Sequence, residues 1–161
     1  MKEPEDAREF LRHTLATLAY RAGKAVRGAP PEFADFKAGP TTRTPLEVLA
    51  HMGDLMDWAL TMARDAQAWK DSPPFPWDRE VARFFASLEA FDRYLASRSE
   101  VKRSLAQLFQ GPVADALTHT GQLTMLRRLA EAPIKGENYS RAEIELGRVG
   151  ADQAPPQREF D

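Results

Sequence analysis

Hydrophobic positions recur with helical spacing along most of the chain, and no stretch alternates convincingly as a strand would. A first helix is predicted from about Pro4 to Ala25, with Leu11, Leu15, Leu18 and Ala22 on one face. Residues 28–43, GAPPEFADFKAGPTTR, are rich in Pro and Gly and read as a loop. A second helix opens with a clear signal: Thr44 as N-cap, Pro45 as first helical residue and Glu47 as capping-box partner. Its apolar side carries Val48, Met52, Leu55, Ala59 and Met62, and the pattern runs to about Trp69.

The segment DSPPFPWD, residues 71–78, breaks that helix with three prolines and offers Asp78 as the next N-cap. A third helix follows with Val81, Phe84, Phe85, Leu88, Phe91 and Leu95 on its core face. Residues 100–109 add a short segment with Val101, Leu105 and Leu108. Gly111 and Pro112 are expected to open a fourth long helix reaching about Glu131. Beyond Pro133 the chain is irregular, apart from one helical turn that Ser140 and Glu143 could cap. The expectation is an all-α, single-domain four-helix bundle over about residues 1–135, with a C-terminal extension over 136–161. The long first loop means that the helix order need not be simple up-down-up-down, and the tail is expected to fold back near the mouth of a pocket.

Composition narrows the function. The chain has 161 residues, 43% hydrophobic and 29% charged, with 22 Lys and Arg against 24 Asp and Glu. A formal net charge of -2 gives no basic excess for nucleic acid, and Arg127–Arg128 and Lys102–Arg103 read as solvated helix faces. There is no cysteine, which excludes disulfides, thiolate metal sites and thiol nucleophiles. No apolar run is long enough to span a bilayer, and the charged N-terminus resembles no signal peptide. The expectation is a cytoplasmic protein with neither membrane nor nucleic acid as partner.

Candidate chemistry centres on VADALTHTGQLTMLRRL, residues 113–129. Asp115, His119, Gln122, Leu126 and Leu129 share one helix stripe, so a carboxylate, an imidazole and an amide continue a line of expected core leucines. Of the three histidines, His13 lies opposite the apolar stripe of its helix and reads as exposed. His51 lies within or beside the apolar face that includes Leu55, Trp58 and Met62. His51, Asp115 and His119 therefore form a possible three-ligand set for Zn, Ni, Fe or Mn. The competing reading is a hydrogen-bonded core histidine and a local Asp–His pair. Gln122 could be a donor behind a ligand, a weak fourth ligand or simply a polar residue at the pocket rim, and Asp54 could orient the His51 imidazole, although a solvated helix charge is the plainer reading of Asp54. No catalytic residue stands out beyond these. Trp69 and Trp77, flanking the proline loop, read as packing residues that could also line a pocket.

The stretches TPLEVLAHMGDLMDWAL and ADALTHTGQLTMLRRLAEAPI resemble the DinB/YfiT-like family of bacterial four-helix proteins, loosely over residues 5–135. The most specific element is His-x-Gly-Gln, here His119, Thr120, Gly121 and Gln122. The resemblance implies a bundle with an unusual helix order, commonly dimeric, holding a metal by three histidines. His51 and His119 match two of these positions, and Asp115 stands at the third, where it would make a harder, more oxygen-rich site. The family includes bacillithiol-using thiol transferases and mycothiol-dependent isomerases. The implied function is thus a metal-dependent hydrolase or thiol/group transferase acting on a small molecule, for instance a low-molecular-weight thiol, as a homodimer. The alternative is a non-enzymatic, stress-related or ligand-binding protein whose same residues form a polar core pocket.

Overall fold

The computed structural model describes residues 6–66 and 68–160 and is mostly helical. Helix α1 spans Ala7–Val26, and Asp6 caps it by accepting from the Glu9 amide at 2.9 Å. The expected start at Pro4 falls outside the described residues. Leu11, Leu15, Leu18 and Ala22 are buried as their spacing predicts. A short 3-10 turn, Pro31–Asp35, then drives Phe33 into the core, edge-on to Trp77.

Helix α2, Pro45–Ala63, opens with the predicted capping box: the Thr44 amide donates to Glu47 Oε2, and the Glu47 amide to Thr44 Oγ1. It ends well before Trp69. The amides of Asp65 and Ala66 bond back to the carbonyls of Met62 and Thr61, with Asp65 left-handed at φ 58°. No glycine marks this stop, which is why helical periodicity overran it. Arg98 and Glu131 turn the chain at the ends of the next two long helices in the same left-handed conformation.

Helix α3 spans Trp77–Ala96, so Asp78 lies inside its first turn and is not the cap. The N-cap is Pro76, and Glu80 reaches back to accept from the Phe75 amide at 2.9 Å. Phe84, Phe85, Leu88, Phe91 and Leu95 are buried. The next helical run begins earlier than expected. Ser104 and Gln107 form a second capping box for α4, Leu105–Leu108, which passes through a π-turn, Phe109–Val113, into α5, Ala114–Leu129. Gly111 and Pro112 are therefore internal to the run. The wide π-turn is the local solution to proline's missing N–H and its clash with the preceding turn.

Helix α1 packs against α3 and α5, and α2 packs against the same two, so consecutive α1 and α2 are not side-by-side neighbours. The loop after α1 crosses the end of the core to achieve this, and it thereby sets α2 beside α5. Arg127 is buried, not solvated. Its guanidinium donates to the carbonyls of Ala25, Arg27, Gly28 and Ala132, tying the C-terminal ends of α1 and α5 together. Burial holds its pKa below the ordinary arginine value.

After α5 the chain folds back along α1 and α3 and buries Ala142, Ile144, Val149 and Ala154. Its helical turn, Tyr139–Arg141, is capped by Asn138 and not by Ser140. A two-residue ribbon pairs β1, Gly136–Glu137, antiparallel to β2, Glu159–Phe160. The ribbon is fastened to α1 by Lys24, 2.8 Å from both Glu137 and Glu159, and by the Tyr20 hydroxyl donating to Glu137 at 2.7 Å. The tail also half-covers His13, contrary to the exposed position expected for it. Among the described residues no helix is long and apolar enough to cross a membrane.

Candidate metal centre

The packing of α2 against α5 brings His51 to the Asp115–His119 stripe. One ligand atom from each of the three residues lies within 4.8 Å of the others, so the group could hold a metal ion. Asp115 Oδ2 is 3.5 Å from His51 Nε2, and Asp115 Oδ1 is 3.4 Å from His119 Nε2. These separations are long for charge-assisted hydrogen bonds, which fall at about 2.7–2.9 Å. Each imidazole faces a different carboxylate oxygen, and one donor atom from each residue within 4.8 Å of the others leaves room for an ion among them, where neighbouring ligands stand about 3.4 Å apart for bonds of about 2.0–2.2 Å. The carboxylate is thus poised between two imidazole nitrogens without bonding tightly to either.

The surroundings prepare the imidazoles. His119 Nδ1 lies 2.7 Å from Gln122 Oε1, and donating there leaves Nε2 with its lone pair free. Gln122 thus contacts the imidazole of His119 within the same helix. Burial, reinforced by nearby His119 and Arg43, holds the pKa of His51 below its ordinary 6.5 despite the pull of Asp115. His51 is therefore neutral at pH 7, as a ligand must be. The two histidine side chains are 19% and 11% exposed and that of Asp115 is 45% exposed, so the carboxylate is the solvent-facing member. The rings of His51 and His119 meet edge to face at 4.8 Å.

Aromatic residues complete one wall. Trp69, in the segment after α2, packs edge-on to His51 at 5.5 Å and to Trp58 at 5.7 Å. Trp77 has no part in this wall. Trp58 was legible on the His51 face one heptad on. Trp69 was legible only as a residue beside the proline loop that could line a pocket, because its position depends on how that loop turns back. A cavity of about 380 Å³ opens on the Asp115 side, bordered by Trp58 and by Gln110 and Gly111 of the π-turn. Another, of about 480 Å³, opens on the His119 side between α5 and the loop before α2.

Two expectations need correction. Asp54 neither orients His51 nor faces solvent. It is buried, receives Arg83 Nη1 on Oδ1 at 2.9 Å and the Ser72 amide on Oδ2 at 2.9 Å. Arg83 also donates Nε to Glu80 at 2.8 Å and Nη2 to the Ala50 carbonyl, beside His51, at 2.6 Å. This buried network pins the proline loop to α2 and α3. Leu129, at the end of the stripe, is 53% exposed and is not a core residue. Compared with family models, curated proteins and solved structures, the chain matches none.

Proposed function

We propose that this chain is a metal-dependent enzyme, a hydrolase or thiol/group transferase, built on a DinB/YfiT-like four-helix bundle. The observation that carries the reading is the convergence of His51, Asp115 and His119 from two helices at separations suited to a shared ion. The helix order, in which α1 and α2 are not neighbours, and the His-x-Gly-Gln run at His119–Gln122 support the same reading.

The donor set fits a divalent cation. Two imidazoles and one carboxylate suit Zn or Fe, with Ni or Mn as further candidates. A divalent ion there would lower the pKa of a coordinated water or thiol and polarise a substrate oxygen. The protein's own part is to present the donors. His51 stays neutral, Gln122 fixes the ring of His119, Asp115 supplies the negative charge, and Trp69 shields His51 on one side. Within this reading the protein acts as a cytoplasmic homodimer on a small molecule.

The test is metal content by plasma mass spectrometry on tag-free protein, with His51→Ala and His119→Ala alongside and circular dichroism to check folding. Near-stoichiometric Zn, Ni, Fe or Mn, lost in both variants, is the expected result. Protein that neither contains nor takes up these ions would reject the enzyme and leave a ligand-binding protein with a polar pocket.

A further inference from the structure

We propose that the cavity beside His119 binds a small molecule with an apolar body and an anionic end, and that Arg43 anchors the anion. Its role as a substrate site rests on the metalloenzyme reading above; its chemistry does not. At about 480 Å³ the cavity lies within the range of small-molecule sites, about 300–1,000 Å³. Val48 of α2 and Leu126 of α5 floor it, and Met125 and Leu129 rise at its rim, 57% and 53% exposed. Two large apolar side chains left in water along one cavity mark a surface that a ligand would cover.

The polar groups are one-sided. No carboxylate lines the cavity among the described residues. Gln122 commits Oε1 to His119 and keeps its amide N–H groups as donors. Arg43 makes no ion pair among the described residues. Its backbone is nonetheless fixed on both sides: Thr42 is tied to Gly39 by three hydrogen bonds, and Thr44 is held by its capping box. A guanidinium on a pinned backbone, sharing its field with Glu47 but ion-paired to no acid among the described residues, is suited to a carboxylate, sulfate or phosphate group. An apolar tail lying along Val48, Leu126, Met125 and Leu129 would place the rest of the ligand beside His119.

The test is calorimetric titration of metal-free, full-length protein in low-salt buffer with sodium octanoate, octylamine hydrochloride and sodium acetate. Octanoate should bind saturably, and octylammonium and acetate at least about tenfold more weakly, the scale of one charge-assisted contact or a short apolar chain. Arg43→Gln and, separately, Leu129→Ser should each weaken octanoate by about tenfold without lowering Tm, since both side chains sit at the surface. Equal binding of octylammonium, indifference to Arg43→Gln, or no saturable binding would overturn the proposal. So would sedimentation showing that Leu129→Ser splits a dimer that cannot bind octanoate, because the apolar rim would then be an interface between copies. A parallel zinc titration separates the two readings. Octanoate binding that depends on Arg43 in a protein that takes up no zinc keeps this site and drops the enzyme; zinc uptake without octanoate binding does the reverse.

Discussion

Replacing Arg83 by Met would remove the cation that, among the described residues, neutralises two buried carboxylates. Glu80 is 0% exposed and Asp54 5% exposed, and Arg83 lies 2.8 Å and 2.9 Å from them. Methionine matches much of the aliphatic stem, so packing changes little and the loss is electrostatic. The backbone amides of Ser72 and Phe75 still donate to the carboxylates, but they carry no full charge. Breaking a buried ion pair from one side costs about 3–5 kcal/mol. At about 2–4 °C per kcal/mol for a chain of this size, Tm should fall by roughly 10 °C at pH 7. Arg83→Lys, which keeps the charge but not the forked geometry, should fall between the two. Thermal melts followed by circular dichroism at pH 7 measure all three proteins. A methionine variant within about 2 °C of the wild type would refute the argument. Because Arg83 also holds the Ala50 carbonyl and the loop after Trp69, tryptophan fluorescence should report a loosened His51–Trp69 contact.

Three further outcomes follow from the same geometry. Gly53→Ala would set a methyl group 2.8 Å from Arg83 Cζ. It should lower stability by about 1–2 kcal/mol in denaturant unfolding despite alanine's better helix propensity. Gln122→Ala frees His119 Nδ1 and should weaken zinc binding about 10- to 100-fold by calorimetry, with the fold unchanged because Gln122 is exposed. Burial raises the Glu137 carboxyl, but the Lys24 and Tyr20 hydrogen bonds outweigh it and leave its pKa below the ordinary 4.5. Its contribution is therefore intact above that value and lost as the pH falls through the lower folded pKa. Hydrogen exchange at Gly136 and Glu137 should accelerate in that window while the amides of α2 stay protected, and uniform acceleration of both would contradict the clasp.

The sequence by itself determined whatever depends on neighbours within a turn or two. The Thr44–Glu47 capping box, the buried faces of α1 and α2 and the aromatic face of α3 are local, because i, i+3 and i+4 positions meet in any helix. The Asp115–His119–Gln122 arrangement is legible for the same reason: its hydrogen bond and its shared face lie within one helix. Sequence also placed His51 on the inward side of α2, but not against any partner.

Tertiary structure decided the rest. Asp54 has His51 one turn before it on its own helix, which suggests a local role, whereas its partner Arg83 arrives from α3. Arg127 resembled a solvated charge until the ends of α1 and α5 came together around it. Helix α2 stops at Ala63 without a glycine, and Pro112 is carried inside a helix by a π-turn, so both contradict the local signals. Above all, His51 meets Asp115 and His119 only because the chain after α1 sets α2 beside α5. Helix faces follow from spacing along one chain segment, whereas a shared site requires a choice of neighbours, and packing of the whole core makes that choice.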